Sequence, residues 1–217
     1  MITLSVSAVI LSGGFSKRFG KEKGLVELAG KPLIRHILDK VNPITNDIVI
    51  VVSTMKQSEN YSRFLKKNAN VVTDLRREHS PLIGALTGLS KATGEYVVLL
   101  PCDTPLVSEA VLNLLLELVP RRSAVIPRWP NRYIEPLQAI YQREEALIAA
   151  QKVLSQGKFR IRSMISELSS ILYLSTLIIK KVDPELSTFL NINTPQDIKR
   201  AESYLRSQTD KARKNDY

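Results

Sequence analysis

Four short stretches of the chain hold residue types that can grip phosphate or a hard metal ion. The first is Leu11-Ser12-Gly13-Gly14-Phe15-Ser16-Lys17-Arg18-Phe19-Gly20-Lys21-Glu22-Lys23. Its glycines let backbone N–H groups approach phosphate oxygens with no Cβ in the way, and its four cations offset phosphate charge. It is not a Walker A loop: five residues separate Gly14 from Gly20 where four are required, and Glu22 stands where Ser or Thr should bind magnesium. It does not fit G-x-G-x-x-G either. By composition alone it reads equally as a turn with basic decoration; its place directly after an apolar run favours phosphate binding.

The second stretch, Pro101-Cys102-Asp103-Thr104-Pro105, holds an acid between two rigid prolines, suited to ligating a hard ion such as Mg²⁺. A plain turn into a helix is the equal alternative. Cys102 reads as a small buried filler and not a nucleophile, since no histidine lies near it in sequence. The third, Asn191-Ile192-Asn193-Thr194-Pro195, offers two amide oxygens that can complete an oxygen-only coordination sphere. The fourth runs from Asp74 to Ser80-Pro81-Leu82-Ile83-Gly84, an acceptor followed by a helix start.

The elements that must position these stretches alternate between strand and helix. Strands are expected at Ala8–Leu11, Ile48–Val52, Val71–Val72, Tyr96–Leu100, Ala124–Ile126, Leu137–Tyr141 and Leu177–Val182, from runs of β-formers. Helices are expected from Pro32, with Leu33, Ile34, Ile37, Leu38 and Val41 on one face, and over Glu59–Lys67, Leu82–Ala92 and Glu144–Ser155. Two more are expected from a Ser108 cap to Val119 and over Ile161–Leu168. Thr194-Pro195-Gln196-Asp197 has the capping threonine, first-position proline and first-turn acid of a helix start. Such alternation predicts an α/β fold, a Rossmann-like, largely parallel sheet flanked by helices on both faces. Ligands in these sheets sit beyond the carboxyl ends of the strands, where all four stretches fall. A single domain is expected over residues 1–206, with a polar, disordered tail over 207–217.

Composition narrows the classes. With 217 residues, 44% hydrophobic and 24% charged, the chain is long enough for a sizeable core. No apolar run approaches the ~20 residues that cross a bilayer. The N-terminal MITLSVSAVILSGG reads as a first strand and not a secretory signal, so a cytoplasmic location is expected. A single cysteine excludes an intramolecular disulfide, and two histidines make a zinc site a poor fit. The formal charge of +10 favours anionic partners. The basic pairs Lys66-Lys67, Arg76-Arg77, Arg121-Arg122 and Lys180-Lys181 are nevertheless scattered and lack interleaved aromatics, which argues against nucleic acid.

Taken together, the stretches resemble the nucleotidyltransferase family that includes molybdenum cofactor guanylyltransferase. The family's L-A-G-G-x-S-x-R-M-G-x-D-K is similar to Leu11–Lys23, its G-P-L-x-G to Ser80–Gly84, its P-C-D-x-P to Pro101–Pro105 and its N-I-N-T-P to Asn191–Pro195. Its E-P-L…Y segment is similar to Glu135-Pro136-Leu137 and Tyr141. The likeness runs in order from Ala8 to Glu202. Ser12 replaces the usual alanine, Glu22 the usual aspartate and Ser80 a glycine, and no residue of Ser53-Thr54-Met55 matches a nucleotide-contacting asparagine.

The resemblance implies a nucleotide-diphospho-sugar transferase-like fold and an enzyme that joins GMP from GTP to the terminal phosphate of molybdopterin, with Mg²⁺ as cofactor. Leu11, Ser12, Gly13 and Gly14 would line the nucleotide with backbone groups, and Asp74 would contact it. Arg18 and Lys23 would hold the triphosphate and act catalytically with Asp103. Asp103 would bind Mg²⁺, with Asn193, and secondarily Asn191, near the same ion. The acceptor would lie near Glu135 and the loop Arg128–Arg132, where Trp129 and Arg132 could stack or pair with it. Other phosphorylated acceptors (cobinamide phosphate, phospholactate, a sugar phosphate), CTP in place of GTP, or a nucleotide- or nucleic-acid-binding protein without turnover are the alternatives.

Overall fold

The computed structural model describes residues 4–16, 19–65, 69–74 and 80–215. In chain order, β1 (Val6–Leu11) is followed by a hairpin of β2 (Phe15–Ser16) and β3 (Lys21–Glu22), then a 3₁₀ turn at Lys23–Leu25. A second hairpin of β4 (Glu27–Leu28) and β5 (Lys31–Pro32) leads into α1 (Leu33–Val41), β6 (Ile48–Val52), α2 (Met55–Leu65) and β7 (Asn70–Thr73). Next come α3 (Pro81–Lys91), β8 (Tyr96–Pro101), α4 (Glu109–Leu118), β9 (Ala124–Arg128), β10 (Ala139–Gln142) and α5 (Arg143–Ser155). The chain ends with α6 (Ile161–Ile165), β11 (Ile171–Ser175), α7 (Thr176–Ile179), a 3₁₀ turn at Ser187–Phe189 and α8 (Pro195–Asn215).

Seven strands form one sheet in the order β11-β9-β10-β8-β1-β6-β7. All its pairings are parallel except those of β10, which runs against both β8 and β9. The central strands are buried on both faces, which is why they read as continuous β-former runs. Ala8 and Ile10 of β1, Ile50 and Val52 of β6, and Val98 and Leu100 of β8 face α1 and α4. The alternate residues Val9, Val49, Val51, Val97 and Leu99 face α3, α5 and α6. A third, smaller core packs Ile192 and Ala201 of the C-terminal region against Val26, Leu28 and Leu33.

Most expected elements are present with shifted ends. The expected late strand at Leu177–Val182 is not: the edge strand is β11, paired in parallel with β9 from Ile171↔Ala124 to Ser175↔Arg128. The Ser175 side chain accepts from the Leu177 N–H and turns the chain into α7. Ile179 is then buried while Leu177 and Ile178 face out, so this apolar run is one helical turn and not an alternating strand. Ser108 occupies the cap position of α4, but its side chain makes no capping bond; instead its N–H donates to Thr188 Oγ1. The helix expected over Glu59–Lys67 begins earlier, at Met55, and α8 stays helical past Ser207, where the sequence turns polar. Arg18 and the basic pairs Lys66-Lys67 and Arg76-Arg77 lie outside the described residues.

At the end of the sheet away from the four stretches, Asp47 joins β1, β6 and the turn before β8. Its Oδ2 accepts from Ser7 Oγ, Thr93 N and Thr93 Oγ1, and Ser7 Oγ in turn accepts from the Gly94 N–H. Burial alone would raise the Asp47 carboxyl, but these bonds from Ser7, Thr93 and Gly94 outweigh it and hold the group below the usual range. A depressed folded value means a contribution that is complete above the unfolded value near 4 and is lost as pH falls through the folded one. Asp47→Asn should therefore cost about 1–3 kcal/mol at neutral pH. In urea melts from pH 7 to 3, the gap to the parent protein should narrow below about pH 4.

Candidate active site

The carboxyl ends of β8, β1, β6 and β7 lie side by side, and the ladder of backbone hydrogen bonds continues one residue beyond them. Ser12 N–H donates to Val51 O (2.7 Å), Cys102 N–H to Leu11 O (3.0 Å) and Asp74 N–H to Val52 O (2.8 Å). Residues 12, 74 and 102, which follow the strands, thus share the strands' rigidity. Above them opens a cavity of about 590 Å³, bordered by Leu11, Gly13, Gly14, Ser53, Asp74 and Asp103, with Leu137 from the second half of the chain. This volume lies within the range of small-molecule sites.

Gly13 is required by close approach: a Cβ there would stand 2.1 Å from Ser53 Oγ. The β2–β3 hairpin then carries the chain out and back, with Phe15 opposite Glu22 and Ser16 opposite Lys21. On its return Lys23 N–H donates to Gly14 O at 3.1 Å. The stretch read as a phosphate loop is therefore a small hairpin that brings its last lysine back beside its first glycines.

Lys23 Nζ donates to Asp103 Oδ2 at 2.5 Å and to Asn193 Oδ1 at 2.7 Å. The second and third stretches are also joined through their backbones, Ile192 N–H donating to Asp103 O at 2.7 Å. Asp197 fixes Asn193 from below: its Oδ2 accepts from Asn193 N, Thr194 N and Thr194 Oγ1, and Thr194 Oγ1 accepts from Asp197 N. This is the capping box read in the sequence, and it sets both the helix start and the asparagine. The other Asp103 oxygen, Oδ1, is buried with no hydrogen-bond partner among the described residues. A buried carboxylate oxygen without a donor needs an explanation, and a bound cation is one. Among the described residues no group of three or more His, Cys, Asp or Glu side chains could hold a metal. The donor set suits an ion that takes most of its ligands from phosphates and water, as Mg²⁺ does.

Of the expected site residues, the structure brings Leu11, Ser12, Gly13, Gly14, Lys23, Asp74, Asp103 and Asn193 to this one edge; Ser12 is buried behind the cavity wall. Asn191 is not part of the Lys23 contact, and its amide donates to Phe189 O at 3.4 Å. Trp129 is held within the protein, its Nε1–H donating to Glu135 Oε1 at 2.6 Å and its ring meeting Phe189 edge-on. Burial pushes the Glu135 carboxyl up, partly offset by that bond. Arg132 is exposed with φ of 68° at the loop tip.

Two residues escaped the sequence reading. Gln57 Oε1 accepts from Ser53 N (2.9 Å) and Thr54 N (3.1 Å), while its Nε2 reaches Gly13 O (3.4 Å). Its signal is present: Thr54-Met55-Lys56-Gln57 is a T-x-x-Q capping box. Tyr61, whose OH lies 2.6 Å from Ser12 Oγ, carried no comparable sign.

Cys102 lies in the same wall. Burial, with the neighbouring Asp103 carboxylate, pushes its thiol up to about 12. The folded protein at pH 7.5 should leave this thiol unmodified by iodoacetamide or a disulfide reagent over an hour, with one equivalent appearing on denaturation. Rapid labelling of the folded protein would contradict the filler role.

Residues 8–171 match the family described as MobA-like NTP transferase domain. A probable molybdenum cofactor guanylyltransferase of Methanosarcina acetivorans is 30% identical over 202 residues, 90% of this chain and 89% of that protein. The molybdenum cofactor guanylyltransferase of Desulfosudis oleivorans is 31% identical over 204 residues, 94% of this chain and 97% of that protein. The crystal structure of molybdopterin-guanine dinucleotide biosynthesis protein A from Archaeoglobus fulgidus superposes with a TM-score of 0.78 at 32% identity, over 93% of this chain and 99% of that one. With the glycine hairpin, the Lys23–Asp103–Asn193 contact and a matched span of this extent, the chain belongs to the MobA-like NTP transferase family.

Proposed function

We propose that the protein transfers GMP from GTP to the terminal phosphate of molybdopterin, releasing pyrophosphate. The observation that carries this reading is the Lys23 contact with both Asp103 and Asn193, made at the edge of the nucleotide-sized cavity and beside an unpartnered Asp103 oxygen. The names of the full-length relatives support the guanylyl donor and the molybdenum cofactor as acceptor.

The chemistry asks little of the side chains. An oxygen of the acceptor phosphate attacks the α-phosphorus of GTP, and the bond from that phosphorus to the β-phosphate oxygen breaks. The attacking group is already an anion, so no general base is needed. What remains is alignment and stabilisation of charge. The backbone at Gly13 and Gly14 lets the phosphates come close, and Lys23 neutralises charge around the reacting phosphorus. Asp103 and Asn193 would hold Mg²⁺, which when bound supplies further neutralisation of phosphate oxygens. Asp74, Ser53 and Gln57 line the cavity where β1, β6 and β7 end, and are placed for the nucleoside. The acceptor approaches from the second half of the chain, where Leu137 borders the cavity.

Thermal unfolding with GTP, CTP, ATP and UTP, each with and without Mg²⁺, should show a GTP-selective, Mg²⁺-enhanced shift. At 100 times Kd the stabilisation is ~2.7 kcal/mol. A CTP-selective shift, or none with any nucleotide, would overturn the guanylyl reading. Asp103→Asn should lower turnover roughly 100- to 1000-fold while changing GTP affinity far less, because its charge matters most as charge develops. Equal losses in both would contradict that role.

A further inference from the structure

Tyr61 of α2 is fully buried, yet its hydroxyl points toward the hairpin that ends in Lys23. The phenol oxygen lies 2.6 Å from Ser12 Oγ, in a bond buried at both ends. The Gly24 backbone passes directly against this pair of hydroxyls. Either hydroxyl can donate in this pair. The fit is close at Gly24: a Cβ there would stand 2.3 Å from the Tyr61 oxygen and 2.6 Å from Ser12 Oγ. The residue before Tyr61 adds a second tie, Asn60 Nδ2 donating to Glu22 Oε1 at 2.7 Å. Gly24 follows Lys23 and Ser12 precedes Gly13, so this buried relay touches the chain next to two site residues.

Packing alone does not account for the phenol. A phenylalanine would fill most of the same volume without a hydroxyl to desolvate, and a buried hydroxyl is tolerated only when its bonds are made. Here the bond it makes goes to Ser12 at the end of β1, and its oxygen is packed against the Gly24 backbone. We propose that Tyr61 is a positioning residue for the transfer reaction. Through Ser12 and Gly24 it fixes the turn at Lys23–Leu25 and so sets the reach of the Lys23 ammonium to Asp103 and Asn193. This role rests on the transferase reading above. It touches neither substrate, and it acts only on where the lysine stands.

The test uses the full chain as Tyr61→Phe, Ser12→Ala and the double variant. Hydrogen exchange at the amides of residues 23–25 is measured without substrate, and pyrophosphate release with GTP, Mg²⁺ and molybdopterin gives kcat and KM. Tyr61→Phe should loosen the turn and speed exchange of the residue 23–25 amides by about fivefold or more. It should lower kcat roughly 10- to 100-fold, the scale of a small misplacement of a catalytic group. KM for GTP should stay within about threefold of the parent value. Ser12→Ala, the milder truncation, should show the same pattern more weakly. The double variant should lose less than the product of the two single losses, because both remove one relay. A lowered melting temperature with parental kcat below it would overturn the proposal and leave Tyr61 as packing. Unchanged exchange across residues 23–25 would overturn it as well. If the parent protein releases no pyrophosphate with any nucleotide, the transferase reading fails, while the exchange data still decide whether the relay holds the turn.

Discussion

A lysine ammonium that reaches a carboxylate 80 residues away and an amide 170 residues away imposes most of what the fold must do. Lys23, Asp103 and Asn193 come from the first hairpin, the end of β8 and the cap of α8, and each reaches the meeting point by its own device. The hairpin folds back on Gly14, the ladder extends past β8, and Asp197 ties down the residues before α8. A charge pair with both partners partly shielded is valuable only if its geometry is held, since desolvation otherwise cancels the attraction. Backbone bonds anchor both ends of the pair, Lys23 N–H to Gly14 O and Ile192 N–H to Asp103 O, while Asp103 Oδ1 stands without a partner among the described residues.

The two ends of the sheet divide the work. At the amino edge, Asp47 is saturated by Ser7 and Thr93, and the Gly94 N–H is taken by Ser7, so the polar groups there look inward and serve the fold. At the carboxyl edge the backbone is equally well satisfied, but side chains such as Asp103 and Gln57 keep atoms turned toward the cavity. The same parallel strands produce both ends. Their register makes the first a closed joint and the second an open rim.

What the sequence disclosed follows from the range of the interactions involved. The central strands were legible because burial on both faces leaves unbroken runs of β-formers, and α1 because its five apolar positions repeat with the helical period. Asp103 and Asn193 were legible as donors, although their meeting at Lys23 was not, since no spacing rule joins residues so far apart. The run Leu177–Val182 misled because β-forming composition says nothing about the serine that turns the chain just before it. Of the two asparagines, Asn193, the one favoured as an ion donor, is reached by Lys23 and tied down by Asp197, while Asn191 donates to Phe189 O. Gln57 was readable from local capping chemistry. Tyr61 was not, because its significance lies in a hydroxyl contact spanning 49 residues. Arg18, read as a phosphate ligand, falls outside the described residues.

The single reversed strand, β10, has a consequence for how such a site can change. Because it runs against its neighbours, the segment that leads into it borders the cavity, where elsewhere the segment leading out of a strand does so. Residues 129–138 form an excursion between two strands already registered to each other, with Arg128 bridging Ile134 partway along. Lengthening or recolouring that excursion leaves the pairing of β9 with β10 intact and leaves the parallel strands β8, β1, β6 and β7 untouched. The architecture thus joins a rim of parallel strand ends, fixed by its ladder, to an insert that can change length or sequence without disturbing that rim.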